Sequence, residues 1–191
     1  MSSSRGAPLR IGVRGAERIA RLFGEAVRPS AKVVVSAIAS RDVERAQAFA
    51  RDLGIAHVHA GYDALLADPA IDAVYVPLPN DLHAQWSIRA ADAGKHVLCE
   101  KPIGLNAAEA QTLLTVTQRH PDLRVAEAFM YRCHPRWELV RTMVQDGATG
   151  ELSTVHTDFS YDNRDAANIR NIAAMGGGAW LDIGCYGVSV A

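Results

Sequence analysis

The sequence predicts an α/β fold built on a doubly wound parallel sheet, and three observations carry the prediction. Short apolar runs rich in Val and Ile recur between amphipathic stretches over the first two-thirds of the chain. The runs are continuous rather than alternating, as in strands covered on both faces. Gly or Pro stands at several of the joints.

Taken in order, residues 9–13 form a short strand and 18–26 a helix. Residues 32–39 are β-branched and continuous, a second strand, and Val43–Leu53 is an amphipathic helix closed by Gly54. His57–His59 is a brief strand ahead of a helical turn at Tyr62–Ala67. Ala73–Val76 is the next strand, followed by a helix over 82–93 that Gly94 ends. His96–Cys99, a helix over 107–120 ended by Pro121, and a strand over 124–128 complete the series. Helical crossovers between parallel strands are expected to be right-handed.

The pattern changes after Ala128, so a first domain is expected over 1–127 and a second over 128–191. Residues 134–145 read as a helix. Residues 152–161 alternate (Val155, Thr157, Phe159, Tyr161) like an antiparallel strand with one wet face. A polar loop and the run Gly176-Gly177-Gly178 lead into an apolar segment that reads as an unfinished, buried helix. One strand and two helices make no core of their own, so this second domain is expected to be incomplete or to be completed by another chain.

Composition narrows the function. The chain has 191 residues, 49% hydrophobic, with a formal net charge of −1, and no basic run suggests nucleic acid. No apolar stretch approaches the roughly 20 residues of a membrane span. Residues 1–8 lack the apolar core of a signal peptide and read as a frayed tail. Cys99, Cys133 and Cys185 are odd in number and widely spaced. They suit neither a disulfide framework nor a metal site, so reduced thiols in a cytoplasmic protein are expected.

The chemistry gathers at strand ends. Strand one runs into Gly12-Val13-Arg14-Gly15-Ala16-Glu17-Arg18-Ile19-Ala20 and a helix follows. A glycine turn there lets backbone N–H groups reach a pyrophosphate, which makes Gly12, Gly15, Ala16, Arg18 and Ile19 candidate cofactor contacts. The same segment also reads as an ordinary strand–helix turn. Glu17 stands where a second glycine is usual, Ala20 where a third is, and Arg14 where the strand should be apolar. Strand two ends in Ser40-Arg41, a hydroxyl and a guanidinium that suit a 2′-phosphate, so NADP is expected in preference to NAD. Ser40 also reads as a helix cap with Arg41 solvated.

Strand four ends in Pro77-Leu78-Pro79-Asn80-Asp81-Leu82-His83. Leu78, Asn80 and His83 are expected along the crevice, with Asn80 or Asp81 capping the next helix. Strand five ends in Cys99-Glu100-Lys101-Pro102-Ile103-Gly104, where proline stops the ladder and fixes where the lysine points. Glu100 and Lys101 are therefore candidate site residues.

These motifs, with residues 129–135 and the stretch Gly176-Gly-Gly-Ala-Trp-Leu-Asp-Ile-Gly-Cys-Tyr186, resemble the glucose-fructose oxidoreductase / inositol dehydrogenase / MocA (Gfo/Idh/MocA) family in residues and order. The resemblance implies a Rossmann domain followed by an α/β domain on a large, mostly antiparallel sheet. That sheet shapes a substrate pocket and usually mediates oligomerisation, so a homo-oligomer of a longer form is expected. The resemblance places Lys101 beside the nicotinamide and substrate hydroxyl, with Asp182 and Tyr186 on a catalytic helix. Four residues apart is one helical face. Tyr186 is similar to the tyrosine of the glucose-fructose oxidoreductase and dihydrodiol dehydrogenase branch, where it exchanges the proton. Lys101 is expected to lower its pKa. Arg170 is implied near the cofactor, and Tyr131, Arg132, His134, Asn163 and Arg164 near the pocket. The expected reaction is NADP-dependent hydride transfer to or from a carbinol or carbonyl carbon of a sugar or small diol, without a metal. The alternative is a truncated, non-catalytic NADP-binding module, which the departures at Arg14 and Glu17 would suit.

Overall fold

The computed structural model describes residues 6–191, so most of the expected frayed tail lies outside the described residues. Six strands form one sheet: β1 (Leu9–Arg14), β2 (Val33–Ala39), β3 (His57–His59), β4 (Ala73–Val76), β5 (His96–Cys99) and β6 (Val125–Glu127). Every neighbouring pair is parallel and the order is β3-β2-β1-β4-β5-β6. The chain winds one way from β1 to β3, then returns to the other side of β1 with β4. That reversal opens a crevice beyond the carboxyl ends of β1 and β4, the place where such sheets bind ligands.

Helices α1 (Arg18–Val27), α2 (Val43–Leu53), α3 (Tyr62–Ala67), α4 (His83–Asp92) and α5 (Ala107–Arg119) cover the two faces. The strands are apolar on both sides and divide their residues by alternation. Ile11, Val13, Ile38 and Tyr75 pack with Phe49 of α2 in one core. Val74, Val76, Val97 and Cys99 pack with Leu65 and Leu66 of α3 in the other. Cys99 is buried deeply enough that its thiol is pushed up to about 12.

The amino ends of the strands are fastened by charge. Asp72, just ahead of β4, accepts from the Arg10 backbone at 2.8 Å and from its guanidinium at 2.7 and 2.9 Å. Arg10 holds the Asp72 carboxyl down to about 2. Lys95, just ahead of β5 and 7% exposed, donates to the carbonyls of Asp68 and Ile71 at 2.7 and 2.8 Å.

Two expected caps are assigned differently. Asp42, not Ser40, caps α2, accepting from the Arg45 N–H at 3.0 Å, while Ser40 Oγ accepts from the Asp42 N–H at 3.2 Å. Neither Asn80 nor Asp81 caps α4; a single 3-10 turn, Asn80–Leu82, leads into it instead.

Beyond β6, the turn Met130–Cys133 leads into α6 (Pro135–Gln145). The strand expected over 152–161 does not form, and no strand occurs among the described residues after Glu127. A strand needs a neighbouring ladder, and this segment finds none, so Leu152, Val155 and Phe159 stay exposed. The final segment is helical as expected, a wide turn Trp180–Gly184 continuing into α7 (Cys185–Val190). It is less buried than expected, for Trp180 and Val188 are largely exposed.

Candidate active site

The site is built from four loops at the carboxyl edge of the sheet. In the first, Gly15 has φ +99°, a left-handed conformation that favours glycine, and its N–H donates to Ala39 O at 2.7 Å. The turn is thereby held against the end of β2. Ala16 follows, then Glu17, whose side chain makes no cap on α1. The N–H groups of the first turn of α1, including those of Arg18 and Ile19, therefore face the crevice end of the helix without a side-chain acceptor. The Glu17 carboxylate points to Arg45 of α2, 2.8 Å away. Gly12 sits deeper, in β1, where a Cβ would meet Leu65 and Ile71 at 2.9 and 3.0 Å, so its place is in the packing beneath the turn. Ser40 is buried just beyond β2 and Arg41 is exposed beside it.

The β4 loop forms the opposite wall. Leu78 packs into the core and lies 3.5 Å from where a Cβ on Gly15 would be. Asn80 Nδ2 donates to Gly176 O at 2.8 Å, tying the glycine run to this wall. His83 is 1% exposed and lies beneath the crevice rather than along it. Its Nδ1 is 2.6 Å from Pro102 O and its Nε2 2.7 Å from Leu78 O, so it ties together the loops after β4 and β5.

The β5 loop carries the acid–base cluster. Glu100 Oε1 accepts from the Tyr75 hydroxyl at 2.7 Å, which fixes the start of the loop. Glu127 accepts from the Ile103 N–H at 2.8 Å and fixes its far side. Between them Lys101 Nζ donates to the main-chain carbonyl of Asp182 and to its Oδ1, 3.2 Å away. Asp182 is 8% exposed, and its Oδ2 accepts from the Tyr161 hydroxyl and from Arg170 Nε at 3.1 Å. Burial alone would raise the Asp182 carboxyl. The Tyr161 hydrogen bond and the charges of Lys101 and Arg170 outweigh it and hold the carboxyl below its usual range. Tyr161 is not among the candidate site residues of the sequence. The signal available was only that it ends an alternating run.

Tyr186, one turn beyond Asp182, packs edge-on against Phe129 at 5.2 Å between ring centroids. The Lys101 ammonium lies over its ring, 5.2 Å from the centroid. The expected lowering of Tyr186 does not occur. Burial pushes the phenol up, and Glu100, Cys185 and Asp182 add to the rise.

The remaining candidates have other partners. The Tyr131 hydroxyl donates to Ser189 O at 2.7 Å, and Arg132 donates to Ser189 Oγ at 3.2 Å, so both hold α7 in place. His134 caps α6. Arg164 pairs with Asp162 in solvent, and Asn163 O accepts from Asn171 within the same loop.

Comparison with known proteins places this arrangement. The family model described as "Oxidoreductase family, NAD-binding Rossmann fold" matches residues 9–128, and the GFO/IDH/MocA C-terminal domain matches residues 137–191. The chain belongs to the GFO/IDH/MocA oxidoreductase family. D-xylose 1-dehydrogenase (NADP(+)) 2 of Haloferax volcanii is 45% identical over 157 residues, 82% of this chain and 48% of that protein. Trans-1,2-dihydrobenzene-1,2-diol dehydrogenase of Xenopus tropicalis is 35% identical over 158 residues, 83% of this chain and 47% of that protein. Among solved structures, KijD10, a 3-ketoreductase from Actinomadura kijaniata in complex with NADP and TDP-benzene, superposes with a TM-score of 0.86 at 41% identity. That match covers 94% of this chain and 55% of KijD10. The chain spans about half the length of the relatives it matches.

One departure of this GFO/IDH/MocA chain from an apolar strand pattern shows directly in its packing. Arg14, the last residue of β1, is fully buried, with its guanidinium 3.5 Å from the Trp86 ring centroid and 4.2 Å from that of Tyr62. None of its three nitrogens has a hydrogen-bond partner. Burial pushes the group down to about 9.

Proposed function

We propose that this GFO/IDH/MocA chain binds NADP(H) in the β1–β4 crevice. We further propose that it carries the acid–base residues of an oxidoreductase acting on a carbinol or carbonyl carbon of a sugar or small diol. The observation that carries the reading is the gathering of Lys101, Asp182 and Tyr186 at the carboxyl end of β5, on the rim of that crevice. The name of the xylose dehydrogenase, which specifies NADP(+), and the KijD10 complex with NADP support the cofactor.

The residues present fit such a cofactor. The left-handed Gly15 turn and the uncapped start of α1 suit a pyrophosphate, and Glu17 is drawn aside by Arg45. Ser40 and Arg41 at the end of β2 suit a 2′-phosphate. When bound, NADPH supplies the hydride that the reaction needs.

The chain's own residues supply the rest. Lys101 donates to the substrate oxygen and so polarises the carbonyl. Asp182 anchors Lys101 and is itself held by Tyr161 and Arg170. Tyr186, kept protonated by burial, donates its proton to that oxygen as the carbon gains hydride, and the carbonyl becomes an alcohol. The phenolate then regains a proton from solvent. Oxidation runs through the same atoms in reverse, with Tyr186 as base.

The test is NADPH oxidation by this chain with a panel of keto-sugars, beside Lys101→Ala. Turnover should fall by about 10²–10⁴-fold while NADPH affinity is retained. Equal loss of both would make Lys101 a binding residue only. The exposure of Leu152, Phe159 and Trp180 favours a second reading, a nucleotide-binding module without turnover. Saturable NADPH binding with no oxidation by any keto-sugar selects that reading.

A further inference from the structure

Position 17 is where the glycine pattern of the nucleotide turn is broken, and the structure shows where the added side chain goes. Glu17 immediately precedes α1, yet its carboxylate makes no bond to the helix start. It extends sideways to α2, where Arg45 Nη2 meets Oε2 at 2.8 Å. Arg45 belongs to the first turn of α2, with its own N–H on the Asp42 cap at 3.0 Å. The segment entering that helix is Ser40-Arg41-Asp42. The Gly15 N–H on Ala39 O, 2.7 Å, clamps the glycine turn to the end of β2. The pair therefore spans the gap between the two segments that flank an adenosine ribose at this kind of crevice.

We infer that Glu17 is a specificity-determining residue. Its carboxylate competes with the 2′-phosphate of NADP(H) for Arg45 and so narrows the preference for NADPH over NADH. The inference rests on the NADP reading above and deepens it. A 2′-phosphate carries more charge than a carboxylate and three acceptor oxygens, so it is the stronger partner for a guanidinium. On binding NADPH, Arg45 exchanges Glu17 for the phosphate. NADH presents a hydroxyl there and leaves the pair in place. The cost of parting Glu17 from Arg45 therefore falls on NADPH alone. Both side chains are about half exposed, 57% for Glu17 and 50% for Arg45, so the pair is solvated and the effect is a small factor. A Glu17 aimed at the pyrophosphate would instead weaken both nucleotides alike. The sideways orientation opposes that.

The experiment is a fluorescence titration with NADPH and NADH of the wild-type chain, Glu17→Gln, Arg45→Met and the double variant. Glu17→Gln should tighten NADPH by about 3–5-fold and leave NADH unchanged. Arg45→Met should weaken NADPH alone, and adding Glu17→Gln to it should change nothing further. The inference is overturned by any of three results. NADPH and NADH move by the same factor in Glu17→Gln, NADPH affinity does not move at all, or the Glu17→Gln effect persists without Arg45. If the wild-type chain is folded by circular dichroism and binds neither nucleotide, the NADP reading falls and takes this inference with it. That outcome is seen before any variant is compared.

Discussion

The Lys101 ammonium lies over the face of the Tyr186 ring, 5.2 Å from its centroid, while its hydrogen bonds go to Asp182. The ammonium is attracted to the π face, and its hydrogen bonds are taken up by Asp182. Burial is the largest influence on the Tyr186 phenol and, with Glu100, Cys185 and Asp182, raises it above its ordinary value. A raised acid keeps its proton to higher pH. Carbonyl reduction that depends on this proton should run level through neutral pH and decline only above about pH 10. Tyr186→Phe should cut turnover by about 10²–10⁴-fold and leave NADPH binding intact. A pH–rate profile that already falls between pH 7 and about pH 9 would contradict the assignment.

Asp182 is the common acceptor of Lys101, Tyr161 and Arg170. Asp182→Asn removes the anion that two cations share, and it should destabilise the chain by about 1–3 kcal/mol in urea unfolding. The native carboxyl is held below its unfolded value, so it contributes stability above about pH 4 and loses it as pH falls through the native value. The Asn variant should lack that part of the acid slope. An unchanged slope would mean the cluster does not form in solution.

Arg14 sits in the core with no hydrogen-bond partner for any of its guanidinium nitrogens. Stacking on Trp86 and Tyr62 offsets part of the desolvation, not all of it. Arg14→Met keeps a long side chain between the rings without the charge. It should stabilise the chain by about 1–3 kcal/mol, seen as a higher urea midpoint. A cation whose native pKa is depressed weakens the fold while both states are charged. The gap between the two proteins should therefore narrow as pH rises past about 9. A Met variant less stable than wild type at pH 7 would show that the stacking outweighs the burial.

His83 engages the carbonyls of Leu78 and Pro102 on two loops. His83→Leu fills similar space but donates to neither. Thermal or urea unfolding should show a loss of about 1–3 kcal/mol. Turnover should fall with it, since the loop that aims Lys101 is no longer held from below. Unchanged stability would mean that the ring's bonds to these carbonyls contribute nothing net to the fold.

The parallel sheet was legible because local patterning and burial agree: continuous apolar runs such as His96–Cys99 became central or flanking strands. The four-residue spacing put Asp182 and Tyr186 on one helical face, but only the family resemblance joined them to Lys101 in the loop after β5. What was not legible depends on partners distant in sequence. The alternation of residues 152–161 specifies a face but supplies no ladder, and the segment stays unpaired. The Tyr161 bond to Asp182 spans 21 residues and leaves no periodic trace. The sideways course of Glu17 depends on Arg45, 28 positions away. The rise of Tyr186 was misjudged because charge proximity was counted and burial was not.

The two ends of this sheet divide their labour. Arg10, Asp72 and Lys95 brace the amino ends of β1, β4 and β5, while the Gly15 turn, His83 and the Lys101 loop occupy the carboxyl ends. Substitutions confined to opposite poles share no contacts and should combine additively. The braced pole is thus a region where robustness can be gained or lost, in the laboratory or by drift, with the chemistry at the other pole left free to diversify.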